Sequence, residues 1–172
     1  ECADFPYDIY YYEKGETDRT RYKPGKHYNK WMEWRASVIQ AYVGDISRLI
    51  EEVKPEVWLE YWAASWWPLP DSAQNWASPS VDKSAEYWWM TPDYHKTGFA
   101  DQLDVFQLGA YLEKPEHVKD AIARAKTLIN GDCTMYGTVS AIEKDFDMEN
   151  GVYTCLTDSE GLMVFDLSHI ER

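Results

Sequence analysis

The run Leu103–Ala141, "LDVFQLGAYLEKPEHVKDAIARAKTLINGDCTMYGTVSA", reads as a strand, a helix and a second strand in immediate succession. Its opening "LDVFQLGAY" is a short apolar run of strand formers bounded by charged and turn residues. Pro115 stands where a first helical turn tolerates an absent N–H. Behind it Val118, Ala121, Ile122, Ala125, Leu128 and Ile129 recur at spacings of three and four, the stripe of an amphipathic helix. Gly131 ends that helix, and "CTMYGTVSA" is extended again. Two strands joined through a helix imply a crossover connection and hence a parallel pair.

The same alternation continues on both sides. Downstream, a short helical piece around Val152–Thr157 stops at Gly161, and "LMVFDL" is a fourth strand. Upstream, Trp31, Trp34, Val38, Ile39, Tyr42, Ile46, Leu49, Ile50 and Val53 mark a long amphipathic helix that begins at Asn29 and stops at Lys54 and Pro55. "VWLEYWA" follows as a strand, and then come roughly forty residues dense in Trp, Pro, Ser and Asp. A loop of that length is uncommon unless it has a function. The first 28 residues carry turn formers without periodicity and read as an irregular segment. The expected fold class is α/β, with parallel strands alternating with helices, in a single domain spanning residues 1–172.

The composition limits what such a domain does. Thirty acidic residues against 17 basic ones give a formal net charge of -13, which disfavours nucleic acid and anionic membrane surfaces. A neutral polyol is indifferent to that charge, so carbohydrate remains. No stretch approaches the roughly 18 to 20 apolar residues of a spanning helix. Cys2, Cys133 and Cys155 lack metal-ligand spacing and read as small core residues; the four histidines are scattered. No metal and no cofactor is expected. Aromatic residues, at 16% with nine tryptophans, are the strongest signal, and five of those tryptophans lie between Val57 and Ser80.

The segments "KPEVWLEYWAASWW", "NWAS", "TGFADQLDVFQLGAY", "MYGTVSA" and "CLTDSEGLMVFDL", in that order from about Trp31 to the end, resemble the (β/α)8-barrel proteins of the alpha-amylase and family 10-like glycosyl hydrolase type. The resemblance implies the second half of a TIM barrel, strands five to eight, with "ECADFP" at the edge of strand four. It further implies that the first half lies upstream or on another chain. The implied function is a glycoside hydrolase acting on an oligo- or polysaccharide. The alternative is a carbohydrate-binding or half-barrel interaction module without competent carboxylates. A periplasmic or extracellular setting suits either reading, and the sequence does not fix it.

Glycoside hydrolysis needs two carboxyl groups roughly 5 to 9.5 Å apart. Alternation along "VWLEYWA" puts Glu60 on one face with Trp58 and Trp62, and a glutamate facing a helix layer would be costly, so that face is expected to be the barrel interior. Glu60 is therefore the candidate general acid. By analogy with the amylase-like arrangement its partner is Asp4, or Glu1, after strand four. Asp166, late in the last strand, is a third candidate, competing with a capping role near the chain's end. In barrels ligands bind beyond the carboxyl ends of the strands, so the long Trp-rich segment leaving "VWLEYWA" is expected to line the cleft. Trp62, Trp66, Trp67, Asn75, Trp76, Trp88, Trp89 and Tyr94 are the candidate sugar contacts, with packing of the long loop as their competing duty.

Overall fold

In this computed structural model, residues 6–18, 21–65, 73–142, 145–166 and 168 are described. A minimal antiparallel pair, β1 (Tyr10–Tyr11) and β2 (Lys23–Pro24), comes first, where the sequence had suggested irregular chain. Helix α1 covers Tyr28–Val53 and ends at Lys54, as the Lys-Pro stop requires. Strand β3 (Glu60–Ala64) follows, then β4 (Val105–Gly109), helix α2 (Pro115–Ile129), β5 (Thr134–Ser140), helix α3 (Met148–Asp158) and β6 (Gly161–Phe165). Asn130 takes a left-handed conformation (φ 53°) and Gly131 follows at φ 79°, closing α2.

The main sheet has the order β3-β4-β5-β6, and each neighbouring pair is parallel. Consecutive strands are spatial neighbours, so every connection crosses back over the sheet in the same sense. The α/β reading of the sequence therefore stands.

Alternation divides the sheet into two unlike faces. Phe106, Leu108, Met135 and Val139 point to one side and are buried there, with Val118, Ile122, Ala125, Leu128 and Ile129 of α2 and Cys155 of α3. Between β3 and β4 the covering layer is not a helix. It is the irregular segment 73–102, which contains two short 3-10 turns, Tyr94–Thr97 and Ala100–Gln102. Trp76 stacks on Phe106 with ring centroids 4.3 Å apart, and Tyr61 meets Phe99 edge-on at 5.0 Å. Helix α1 packs outside this segment, its Gln40 amide donating to the carbonyls of Lys96 and Gly98.

The buried side of α1 is Tyr28, Met32, Ala36 and Val43, rotated from the stripe expected on periodicity. Trp34, Val38, Tyr42, Leu49 and Val53 of that stripe are exposed. Cys155 is buried and Cys133 half-buried, and burial pushes both thiols up to about 11, in keeping with their reading as small core residues.

Two buried phenols set an alkaline limit. The Tyr28 hydroxyl donates to the carbonyl of Trp89 at 2.9 Å and lies 3.0 Å from the Tyr22 hydroxyl. Burial, reinforced by Tyr22, holds the Tyr28 pKa well above the usual phenol value, and burial does the same for Tyr94. Unfolded tyrosines ionise near pH 10, whereas these two stay neutral in the fold. Their contribution to stability is thus complete below about pH 10 and is lost as the pH rises beyond it. Urea midpoints measured from pH 8 to 11 should fall steeply above pH 10, and less steeply in Tyr94→Phe.

Candidate functional site

The second face of the sheet carries Glu60, Trp62 and Ala64 on β3, Val105, Gln107 and Gly109 on β4, Thr134, Tyr136, Thr138 and Ser140 on β5, and Gly161, Met163 and Phe165 on β6. No described helix packs on it. Two glycines shape its surface by lying under rings. A Cβ at Gly109 would come within 2.6 Å of the Trp62 indole, and one at Gly161 within 2.6 Å of the Tyr136 ring. Each aromatic side chain can therefore lie flat across the neighbouring strand.

Toward the carboxyl end the rings join into a row. Tyr111, just beyond β4, sits 5.8 Å from Trp62 at 36° and 6.2 Å from Phe165 at 25°. The three rings span the sheet from its first strand to its last. Trp62 and Phe165 are each 42% exposed, so the row has an open side. Thr138, level with Gly109 and Met163, is fully buried on the same face, and its hydroxyl has no hydrogen-bond partner among the described residues. An unsatisfied buried hydroxyl costs about 1–3 kcal/mol. The arrangement is a row of rings with an open side, and a buried, unpartnered hydroxyl on the same face of the sheet.

Glu60 lies on the expected face, away from the helices, and at the amino-terminal end of its strand. It opens β3 at the amino edge, is exposed, and accepts a hydrogen bond from the Gln107 amide. Asp166 follows the end of β6 and accepts from the Ser168 N–H at 2.9 Å and from the Ser168 hydroxyl, which is the capping duty. The two carboxylates do not meet. Glu60 is level with Thr134, and Phe165 with Ser140, about six residues or roughly 20 Å further up the sheet. A catalytic pair needs roughly 5 to 9.5 Å. Asp4 and Glu1, the candidate partners of Glu60, lie outside the described residues, as do Trp66 and Trp67.

Of the candidate sugar contacts, only Trp62 belongs to this row. Asn75, Trp76, Trp89 and Tyr94 are all 3% exposed or less, and their expected place in a cleft is corrected to a place in the core. The Asn75 amide donates to the Tyr94 carbonyl at 2.9 Å and to the Thr97 hydroxyl at 3.2 Å, holding the irregular segment together. Physically, this segment replaces a helix as the cover of β3 and β4, so its large rings turn inward. Trp88 is exposed but packs beside Tyr22 of the amino-terminal segment.

Sequence reasoning missed Tyr111, Phe165, Gln107 and Thr138. The alternation in "LMVF" would have placed Phe165 opposite Leu162 and Val164, but only the strand register brings it to the Trp62 side. Among the described residues no group of three or more His, Cys, Asp or Glu could hold a metal ion, and no helix is long and apolar enough to cross a membrane.

No family model and no solved structure matches the chain. An S-layer-related protein of Niallia circulans is 23% identical over 164 aligned residues, which cover 86% of this chain. The chain spans about a tenth of that protein, 10% of its length.

Proposed function

We propose that this chain is the carboxyl-terminal half of a (β/α)8 barrel of the glycosyl hydrolase type, and that the Trp62–Tyr111–Phe165 row is its carbohydrate contact. The row carries the reading. Three rings on an uncovered sheet face, within 36° of one another pair by pair, offer flat apolar surface to the CH faces of a sugar. The buried Thr138 hydroxyl on the same face has no hydrogen-bond partner among the described residues and suits a ligand or water hydroxyl.

The half-barrel part rests on what is left bare. Among the described residues the edge strands β3 and β6 each pair on one side only. The exposed stripe of α1 carries Trp34, Val38, Tyr42, Leu49 and Val53, and on α3, which packs on β5 and β6, Tyr153 and Leu156 are exposed. Further strands and helices of a barrel would cover these flanks together with the edges. The likeness to an S-layer-related protein is in keeping with a glycan met at a cell surface.

Hydrolysis in such a barrel draws its carboxylate pair from residues other than a Glu60–Asp166 couple, with Asp4 remaining a candidate. The contact made by this half is therefore stacking rather than proton transfer. Affinity gels containing soluble xylan, hydroxyethylcellulose or glycol chitin should retard the chain in at least one case. Trp62→Ala should weaken that retention about tenfold, the worth of one lost aromatic contact of roughly 1.4 kcal/mol. Glu60→Gln, at the far end of the strand, should leave it within about twofold. Unchanged retention in Trp62→Ala, with full loss in Glu60→Gln, would move the site to the amino edge.

A further inference from the structure

Trp88 stands exposed beside a cluster of charged side chains. Its ring is 60% exposed, lies 5.0 Å from Tyr22, and forms the wall of an open groove of about 440 Å³ whose other lining residues are Glu13, Glu16, Arg21 and Lys23. We propose that this groove is a second carbohydrate-binding site, separate from the sheet-face row, which takes one ring of a neutral glycan against the Trp88 indole. The inference rests on the carbohydrate reading of the chain.

The chemistry of the rim selects the ligand class. Acidic and basic side chains both line the groove beside one indole, so neither sign of charge is left to dominate an incoming group. A phosphate or a polycation would meet a like charge there, whereas a polyol can donate to Glu13 or Glu16 and accept from Arg21 or Lys23. The Arg21 guanidinium is paired with Asp18 at 3.2 Å and Lys23 with Glu13 at 4.0 Å. These pairs are exposed, and such pairs hold their partners weakly, so a ligand hydroxyl can exchange into them. Planar guanidinium and carboxylate groups also match two vicinal hydroxyls at once.

The groove is firmly founded. The Tyr22 ring under it is buried, its hydroxyl meets that of Tyr28, and Tyr28 in turn holds the carbonyl of Trp89, the residue after Trp88. Trp88 is thereby fixed between a buried neighbour in sequence and a buried neighbour in space. Its place relative to the sheet follows from α1. That helix ends six residues or so before β3 begins, so its first turn, where Tyr28 sits, lies toward the carboxyl ends of the strands. The groove therefore opens on the side toward which the aromatic row also lies.

The test uses the whole chain and the same three affinity gels, with Trp88→Ala, Trp88→Phe, Trp62→Ala and the Trp88→Ala/Trp62→Ala double variant. Trp88→Ala should weaken retention about threefold to tenfold at unchanged near-ultraviolet dichroism and urea midpoint. Trp88→Phe, which keeps a ring, should recover part of it, and the double variant should lose more than either single one. Retention equal to wild type in Trp88→Ala, with loss in Trp62→Ala, overturns the second site and leaves the first. Loss in Trp88→Ala alone supports the groove and removes the sheet-face row. No retention of the wild-type chain in any of the three gels overturns both.

Discussion

Trp76→Ala is expected to lower the stability of the chain by about 3–5 kcal/mol, a large share of the roughly 5–15 kcal/mol that holds a domain folded. The indole is 3% exposed and stacks on Phe106 at 4.3 Å and 23°. Phe106 is itself fully buried, in the strand next to β3. The ring rests directly on the sheet through Phe106, and among the described residues segment 73–102, not a helix, covers β3 and β4. Removing the ring leaves a void bounded by sheet on one side and irregular chain on the other. Urea unfolding followed by far-ultraviolet dichroism would show the midpoint shift. A sugar-contacting tryptophan would behave in the opposite way, losing ligand retention at an unchanged midpoint.

Gly98→Ala is expected to be nearly as severe, at about 2–3 kcal/mol. Its backbone, φ -64° and ψ 151°, suits alanine, so the penalty is not conformational. It is spatial: a Cβ there would stand 2.4 Å from the carbonyl oxygen of Ala77 and 2.8 Å from the Pro79 nitrogen. Both are main-chain atoms, and no rotamer change relieves the clash. The two strands of irregular chain must part, which also disturbs the 2.7 Å hydrogen bond from Gln40 of α1 to the Gly98 carbonyl. The same urea experiment measures it. A midpoint within error of wild type would mean that segment 73–102 gives way easily and is not the rigid cover described above.

Glu60 shows how far alternation alone can be taken. Period-two patterning assigned it to the face away from the helices, and that is where it lies, because a carboxylate among Phe106, Leu108 and Met135 would be unpaired in a dry core. Patterning could not say which end of the strand it occupies. The seven residues "VWLEYWA" read as one strand, but pairing with β4 begins only at Glu60, beside a Leu59 N–H that donates to the Asp104 carboxylate at 2.7 Å. That hydrogen bond, between residues 45 apart in sequence, ties the start of β3 to the start of β4, where Glu60 stands at the amino edge.

The long tryptophan-rich segment shows the other boundary. Composition marked it as unusual, but a tryptophan buried against a sheet and one exposed to a ligand are the same letter in the same kind of loop. What separated Trp76 and Trp89 from Trp62 and Trp88 was the absence of a covering helix between β3 and β4, a fact about the whole layer.

By itself, then, the sequence determined the parallel α/β character, since the three-and-four spacing of α2 between the short apolar runs of β4 and β5 calls for a crossover connection. The near location of most helix ends also came from local chemistry, at Lys54 before Pro55 and at Asn130 before Gly131. Tertiary structure alone decided which aromatic rings face outward, which face of α1 is buried, and that Trp62, Tyr111 and Phe165 share one surface. Those outcomes depend on strand register and layer order, which are set by contacts between residues far apart in the chain and leave no periodic trace in the local sequence.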